Sequence, residues 1–174
     1  MSEGRTAVIV IDMLRDFAEE GGALFVPQAA EIIPALAARL ARARKDGDHV
    51  IYLCDRHSQR DREMADWPHH ALEGSSGAEI VPRLAPQPGD AVIPKHTLSP
   101  FYQTDLKAVL DRLGVDTLVV TGTVTEICVL CAVVEGRPRG YNLIVPRDCV
   151  AALSDEDGRF ALRLMSQVFH AEVV

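Results

Sequence analysis

The chain has 174 residues, 48% hydrophobic and 25% charged, a balance that suits one globular domain with a sizeable core. Its 18 basic and 25 acidic residues leave a net charge of -7, which repels phosphate backbones and anionic membrane surfaces, so neither nucleic acid nor membrane is an expected partner. The start MSEGRTAVIVIDM lacks the signature of a secretory signal, no apolar run reaches the length of a membrane span, and four cysteines suit reduced thiols, so a cytoplasmic location is expected.

The first element is TAVIVID, residues 6 to 12, short, rich in Val and Ile and without polar alternation, as strands buried on both faces read. A helical pattern follows over 28 to 46, then a second strand HVIYLC (49 to 54). Residues 55 to 90 form a long irregular stretch holding four prolines, three glycines and three histidines, and a loop of that length in a compact domain is usually functional. Beyond it lie the strand AVIP (91 to 94), a helix over 104 to 113 closed by Gly114, the strand DTLVVTG (116 to 122) and an apolar helix over 125 to 136. The chain continues with the strand YNLIVP (141 to 146), a helix over 155 to 168 with Ser154 placed to cap and Asp157 three residues on, and HAEVV as a last edge strand. Strand and helix alternate throughout, which predicts a single-domain three-layer α/β/α fold over residues 1 to 174. It has a mostly parallel six-stranded sheet with helices on both faces.

In such sheets a ligand sits beyond the carboxyl ends of the strands. Asp12 ends the first strand, Asp55 follows the second, Lys95 the third and the Gly122 turn the fourth, so all four are expected at one crevice. Cys128 falls in the first turn of the helix opened by TGTVTEICV, where backbone N–H groups and the helix dipole favour a thiolate. A carboxylate can accept the thiol proton and an ammonium can steady the resulting anion, roles that fit Asp12 and Lys95. Singly, each of these residues also reads as a cap, a loop lysine or core filler; their convergence at consecutive strand ends favours chemistry.

The segments VIDMLRDF, GGAL, DRH, WPHHALEGSSGAEI, KHTLSPFYQTDL and GTVTEICV, in that order, resemble the motif series of the isochorismatase-like cysteine hydrolases, and WPHH resembles the nicotinamidase branch. The resemblance spans residues 8 to 134 and extends, more weakly, through YNLIVPRDCVAAL. It implies a catalytic triad of Asp12, Lys95 and Cys128, and a cis peptide between Val124 and Thr125 that aims the N–H groups of Val124 and Cys128 at the substrate carbonyl oxygen. The implied reaction is hydrolysis of nicotinamide to nicotinic acid and ammonia through a Cys128 thioester, a step of NAD salvage, carried out by an enzyme whose relatives are often homo-oligomers.

In the long loop, Asp55 and His57, with Glu63 and His70 further along, offer two imidazoles and two carboxylates, a set suited to Zn²⁺, Mn²⁺ or Fe²⁺. By resemblance Asp55, His57 and His70 are ligands of a divalent metal, zinc foremost, with Glu63 as a further candidate and Asp61 or Asp66 as competitors. That ion would hold the pyridine nitrogen, with Phe17 and Trp67 as apolar walls to the ring. His49, His69, His96 and His170 read as structural or exposed, and Asp16 is assigned no chemistry. Leu14 departs from the polar residue usual after the catalytic acid, and the short stretch between DRH and WPHH predicts a reduced lid.

Two other classes fit parts of the chain. A metal-free amidase or ureido hydrolase on the same scaffold would leave the histidines of the loop idle. A CxxC redox protein built on Cys128 and Cys131 would leave Asp12, Lys95 and the loop unexplained. No phosphate-cradling glycine motif follows any predicted strand, which argues against a nucleotide site.

Overall fold

The computed structural model describes residues 5–174; of the opening segment MSEG, read above for a leader, all four residues lie outside them. In chain order the elements are β1 (Arg5–Ile11), α1 (Arg15–Ala18), α2 (Pro27–Asp46), β2 (His49–Asp55), β3 (Ala91–Lys95), α3 (Leu106–Leu113) and β4 (Val115–Thr123). After a π-helical turn, Thr125–Val129, come α4 (Leu130–Gly136), β5 (Asn142–Val145), β6 (Val150–Ala151), α5 (Asp155–Gln167) and β7 (Glu172–Val173). No helix among the described residues is long and apolar enough to cross a membrane.

All strand pairs are parallel, in the order β3-β2-β1-β4-β5-β7, with β6 pairing β4 past the end of β5. Among the described residues the sheet therefore has seven strands rather than the six expected. The addition is the two-residue β6, too short to leave a pattern, formed where Val150 and Ala151 align with Gly122 and Thr123.

The pleat sends alternate residues to opposite faces, and both faces are covered. Ile9, Ile11, Ile51 and Leu53 pack in one core with Leu106 and Leu110 of α3, Val133 of α4 and Met165 of α5. Val8, Val10, Val50 and Tyr52 pack in the other with Leu36, Leu40 and Ala43 of α2. A strand flanked by two apolar layers has no polar face, which is why these runs read as continuously hydrophobic.

From β1 the chain winds outward through β2 to β3, then crosses back to place β4 on the other flank of β1. The order reverses at β1 and β4, and there the two strands leave a crevice beyond their carboxyl ends. Gly122 makes the closeness of those strands possible. It pairs with Ile11 across the sheet, its φ is +105°, and a Cβ on it would lie 2.0 Å from the Ile11 carbonyl oxygen.

Candidate active site

Each of the four strand-end positions delivers a residue to that crevice. Asp12, just past β1, adopts a left-handed backbone (φ 48°) and its N–H donates to the Leu53 carbonyl at 2.9 Å. Its carboxylate Oδ1 in turn accepts from the Asp55 N–H at 2.8 Å, so the ends of β1 and β2 lock each other. Lys95, the last residue of β3, is fully buried. Its Nζ lies 2.8 Å from Asp12 Oδ2, 2.5 Å from Asp55 Oδ1 and 3.7 Å from Cys128 Sγ, and it also donates to the Thr97 carbonyl at 3.3 Å. One ammonium thus joins the acid, the thiol and the second carboxylate that sequence had placed apart.

The charges follow from this packing. Burial, aided by the charge of Asp55, pushes the Asp12 carboxyl up to about 6 against the pull of Lys95. Burial acts the same way on Asp55, but Lys95 foremost, with the imidazoles of His57 and His70 close by, outweighs it and holds that carboxyl well below the usual range. Lys95 keeps its proton well above the ordinary range because Asp12 and Asp55 overcome the cost of burial. The Cys128 thiol is raised well above its usual value by burial first, with the nearby acids adding and Lys95 opposing. Cys128 therefore rests as a thiol, and a thiolate forms only when its proton is taken away, a refinement of the thiolate expected from its place near a helix start.

The cis peptide is one bond earlier than expected: it joins Thr123 to Val124, not Val124 to Thr125. Strand β4 runs through Thr123, Val124 is the extended residue that caps the π-helical turn, and Thr125 is already helical, so the chain reverses between strand and cap. Thr125 is buried and outside the cis bond. Val124 and Cys128 do line the same cavity, as do Thr123 and Ile127.

Beside this cluster sits the second constellation. Asp55, His57 and His70 are all buried, and their ligating atoms lie within 4.8 Å of one another. Asp55 Oδ2 is 3.5 Å from His57 Nε2 and 3.8 Å from His70 Nε2, while its other oxygen holds Lys95. His70 Nδ1 donates to the Pro68 carbonyl at 2.7 Å, which fixes the proton on that nitrogen and leaves Nε2 a free lone pair. His57 Nδ1 faces Asp61 Oδ2 at 3.3 Å, and its buried Nε2 has no hydrogen-bond partner. Two oriented imidazole lone pairs and a carboxylate oxygen, one of them otherwise orphaned, form a donor set that fits a divalent cation such as zinc.

Glu63 stands at the margin of this group. Its Oε1 accepts from the Leu98 N–H at 2.9 Å, and its Oε2 is 3.9 Å from His57 Nε2. Asp61 orients His57 and is also bound by the Ser58 N–H and hydroxyl, so it acts behind the imidazole rather than competing for an ion; Asp66 is exposed. From sequence Asp61 was only a competing ligand, and the signal for its place behind His57 is a carboxylate four residues after that histidine in the same loop.

Both constellations open into one cavity of about 320 Å³. Phe17 and Trp67 both line it, Phe17 buried with its ring edge-on to His70 at 5.5 Å between centroids and Trp67 40% exposed. Leu98, Ile127 and Leu153 complete the apolar walls, residues that nothing in the linear pattern marked. Asp12, Asp55 and Glu63 contribute its acids, and among the described residues no arginine or lysine lines it. Leu14 is buried in the core and bridges to Ile80 instead of facing the site. His49, His69, His96 and His170 are outside it, and all four cysteines are free.

Residues 6–174 match the isochorismatase domain. The chain belongs to the isochorismatase family. Within it, the uncharacterized isochorismatase family protein YaaI of Bacillus subtilis is 30% identical over 99% of this chain and 95% of its own length. The maleamate amidohydrolase of Pseudomonas putida is also 30% identical, over 84% of this chain and 72% of its own. Among solved structures, the pyrazinamidase/nicotinamidase of Streptococcus mutans superposes with a TM-score of 0.93 at 31% identity, covering 97% of this chain and 99% of that one. The pyrazinamidase of Pyrococcus horikoshii, solved in complex with zinc, gives 0.91 at 29% identity, with 98% of each chain covered. The protein is an isochorismatase-family hydrolase, and family members with this fold act on more than one kind of amide.

Proposed function

We propose that the protein is a metal-dependent cysteine amidohydrolase whose substrate is a neutral heteroaromatic amide, nicotinamide or a close analogue. The observation that carries this reading is the double use of Asp55, one oxygen on Lys95 and the other on the two histidines, which welds an acid-amine-thiol cluster to a metal donor set in one cavity. The apolar walls suit a flat ring, and acids without a facing lysine or arginine disfavour a carboxylated amide such as maleamate.

Asp12, ionised above about pH 6, takes the thiol proton of Cys128 as the sulfur attacks the amide carbon. The Lys95 ammonium, 3.7 Å from Sγ, offsets the charge that develops on sulfur. The carbonyl oxygen becomes an oxyanion held by the backbone N–H groups of Val124 and Cys128. Asp12 then passes its proton to the leaving nitrogen, the C–N bond breaks, ammonia departs and a Cys128 thioester remains. Water, deprotonated by Asp12, hydrolyses the thioester to the carboxylic acid and restores the thiol. Asp55, His57 and His70 would hold the divalent ion, with Glu63 beside it, and that ion when bound supplies a Lewis-acidic anchor for a ring nitrogen. Phe17 and Trp67 bracket the ring and keep water from its faces.

The test is ammonia release from nicotinamide, pyrazinamide, maleamate and N-carbamoylsarcosine, each with wild type and with Cys128→Ala. Release from the two ring amides, lost in the variant, is expected. Release from maleamate or N-carbamoylsarcosine but from neither ring amide would overturn the substrate assignment and favour the carboxylated amides of other family members.

A further inference from the structure

Phe17 has a place against His70, but its neighbour Asp16 has no part in the chemistry above. Its contacts are nonetheless with two walls of the site. Asp16 Oδ2 accepts from the Ala71 N–H at 2.8 Å, and Oδ1 accepts from the Ala23 N–H at 3.2 Å, while its backbone carbonyl accepts from Leu24 N–H at 3.1 Å. Ala23 and Leu24 line the cavity; Ala71 directly follows His70.

Ala71 is fully buried and left-handed, with φ of 44°, a conformation an alanine holds only when its surroundings enforce it. Its N–H is held by Asp16, and its carbonyl accepts from the His57 N–H at 3.0 Å. The His57 carbonyl accepts from Glu73 N–H at 2.9 Å. One residue, Ala71, therefore spaces the two imidazoles, and Asp16 holds it by its N–H. Gly77 leaves room for the carboxylate: a Cβ there would lie 2.1 Å from Asp16 Oδ2.

We propose that Asp16 is a positioning residue that fixes His57 and His70 at ligating geometry through the Ala71 peptide and ties them to the cavity wall at Ala23. The Asp-Phe pair at 16 and 17 then works as a clasp on His70, the carboxylate gripping the backbone after it and the phenyl edge packing its ring. The inference rests on the metal reading of Asp55, His57 and His70.

The experiment measures Zn²⁺ affinity by competition with a chromogenic chelator for wild type, Asp16→Asn and Gly77→Ala. Asparagine retains one acceptor oxygen for two N–H groups, and the alanine methyl pushes the native carboxylate aside, so the two variants disturb one clamp by different routes. In each, Zn²⁺ affinity is expected to fall by about ten-fold or more, while alkylation of Cys128 by iodoacetamide stays within about two-fold of wild type. Both variants binding Zn²⁺ like wild type would overturn the clamp. So would a loss of Zn²⁺ affinity matched by an equal change in Cys128 alkylation, which marks general loosening. A wild type that takes up no Zn²⁺ overturns the metal reading and the clamp with it, whereas nicotinamide hydrolysis by wild type is judged separately.

Discussion

Lys95 is the residue on which the site's electrostatics turn. Buried beside two carboxylates, its ammonium is the one charge that lets Asp12 and Asp55 sit so close together. Replacing it with methionine leaves both acids facing each other without compensation, and a cost of roughly 3–5 kcal/mol is expected, read as a lowered urea midpoint at pH 7. The penalty should shrink in acid as the carboxyls protonate. Asp12 sets a second expectation. Its carboxyl, raised to about 6, must be ionised to accept the thiol proton, so kcat/KM for amide hydrolysis should rise as pH passes upward through about 6. Asp12→Asn should remove that limb together with the activity; an unchanged profile in wild type down to pH 4 would show that another group is the base.

At the scale of elements, the strand ends do the positioning, and two local features guard them. Gly122→Ala would drive a methyl into the Ile11 carbonyl at a left-handed position, separating β1 from β4 beneath Asp12. A loss of more than about 2 kcal/mol in denaturant unfolding is expected. Ser154 caps α5, accepting from the Asp157 N–H at 3.1 Å while its hydroxyl donates to the Asp157 carboxylate at 2.6 Å. Ser154→Ala should cost about 1 kcal/mol of stability. The cap and strands β1 to β5 were legible because each rests on a local pattern: a Ser-x-x-Asp spacing, or a continuous apolar run between two covered faces. Helix α1, four residues long, and β6, two residues long, are too short for any period to register. The cis bond was misplaced by one because its position depends on where β4 stops, and strand ends are set by pairing with β1 and β6 rather than by the residues alone.

Over the whole molecule, convergence was readable and detailed contact was not. Topology sends the ends of β1 to β4 to one side of the sheet whatever the loops do, so Asp12, Asp55, Lys95 and Cys128 could be gathered from sequence. The loop of 55 to 90 is organised by contacts across long stretches of chain: Asp16 to Ala71, Glu63 to Leu98, Arg56 N–H to the Lys95 carbonyl. None of these leaves a local signature, and so the parts of Asp16 and Asp61 emerged only in three dimensions. Chelation should separate the two constellations that share Asp55: stripping the metal is expected to lower kcat/KM for nicotinamide, with return of activity on adding Zn²⁺ or Mn²⁺. Covalent catalysis by Cys128 is the step on which every other role in the cavity depends. Rapid acid quench of the wild type turning over nicotinamide, followed by peptide mass spectrometry, should find a nicotinoyl group on Cys128 and none on Cys131. Ammonia release that persists in Cys128→Ala, with no acyl group on the wild-type peptide, would contradict it.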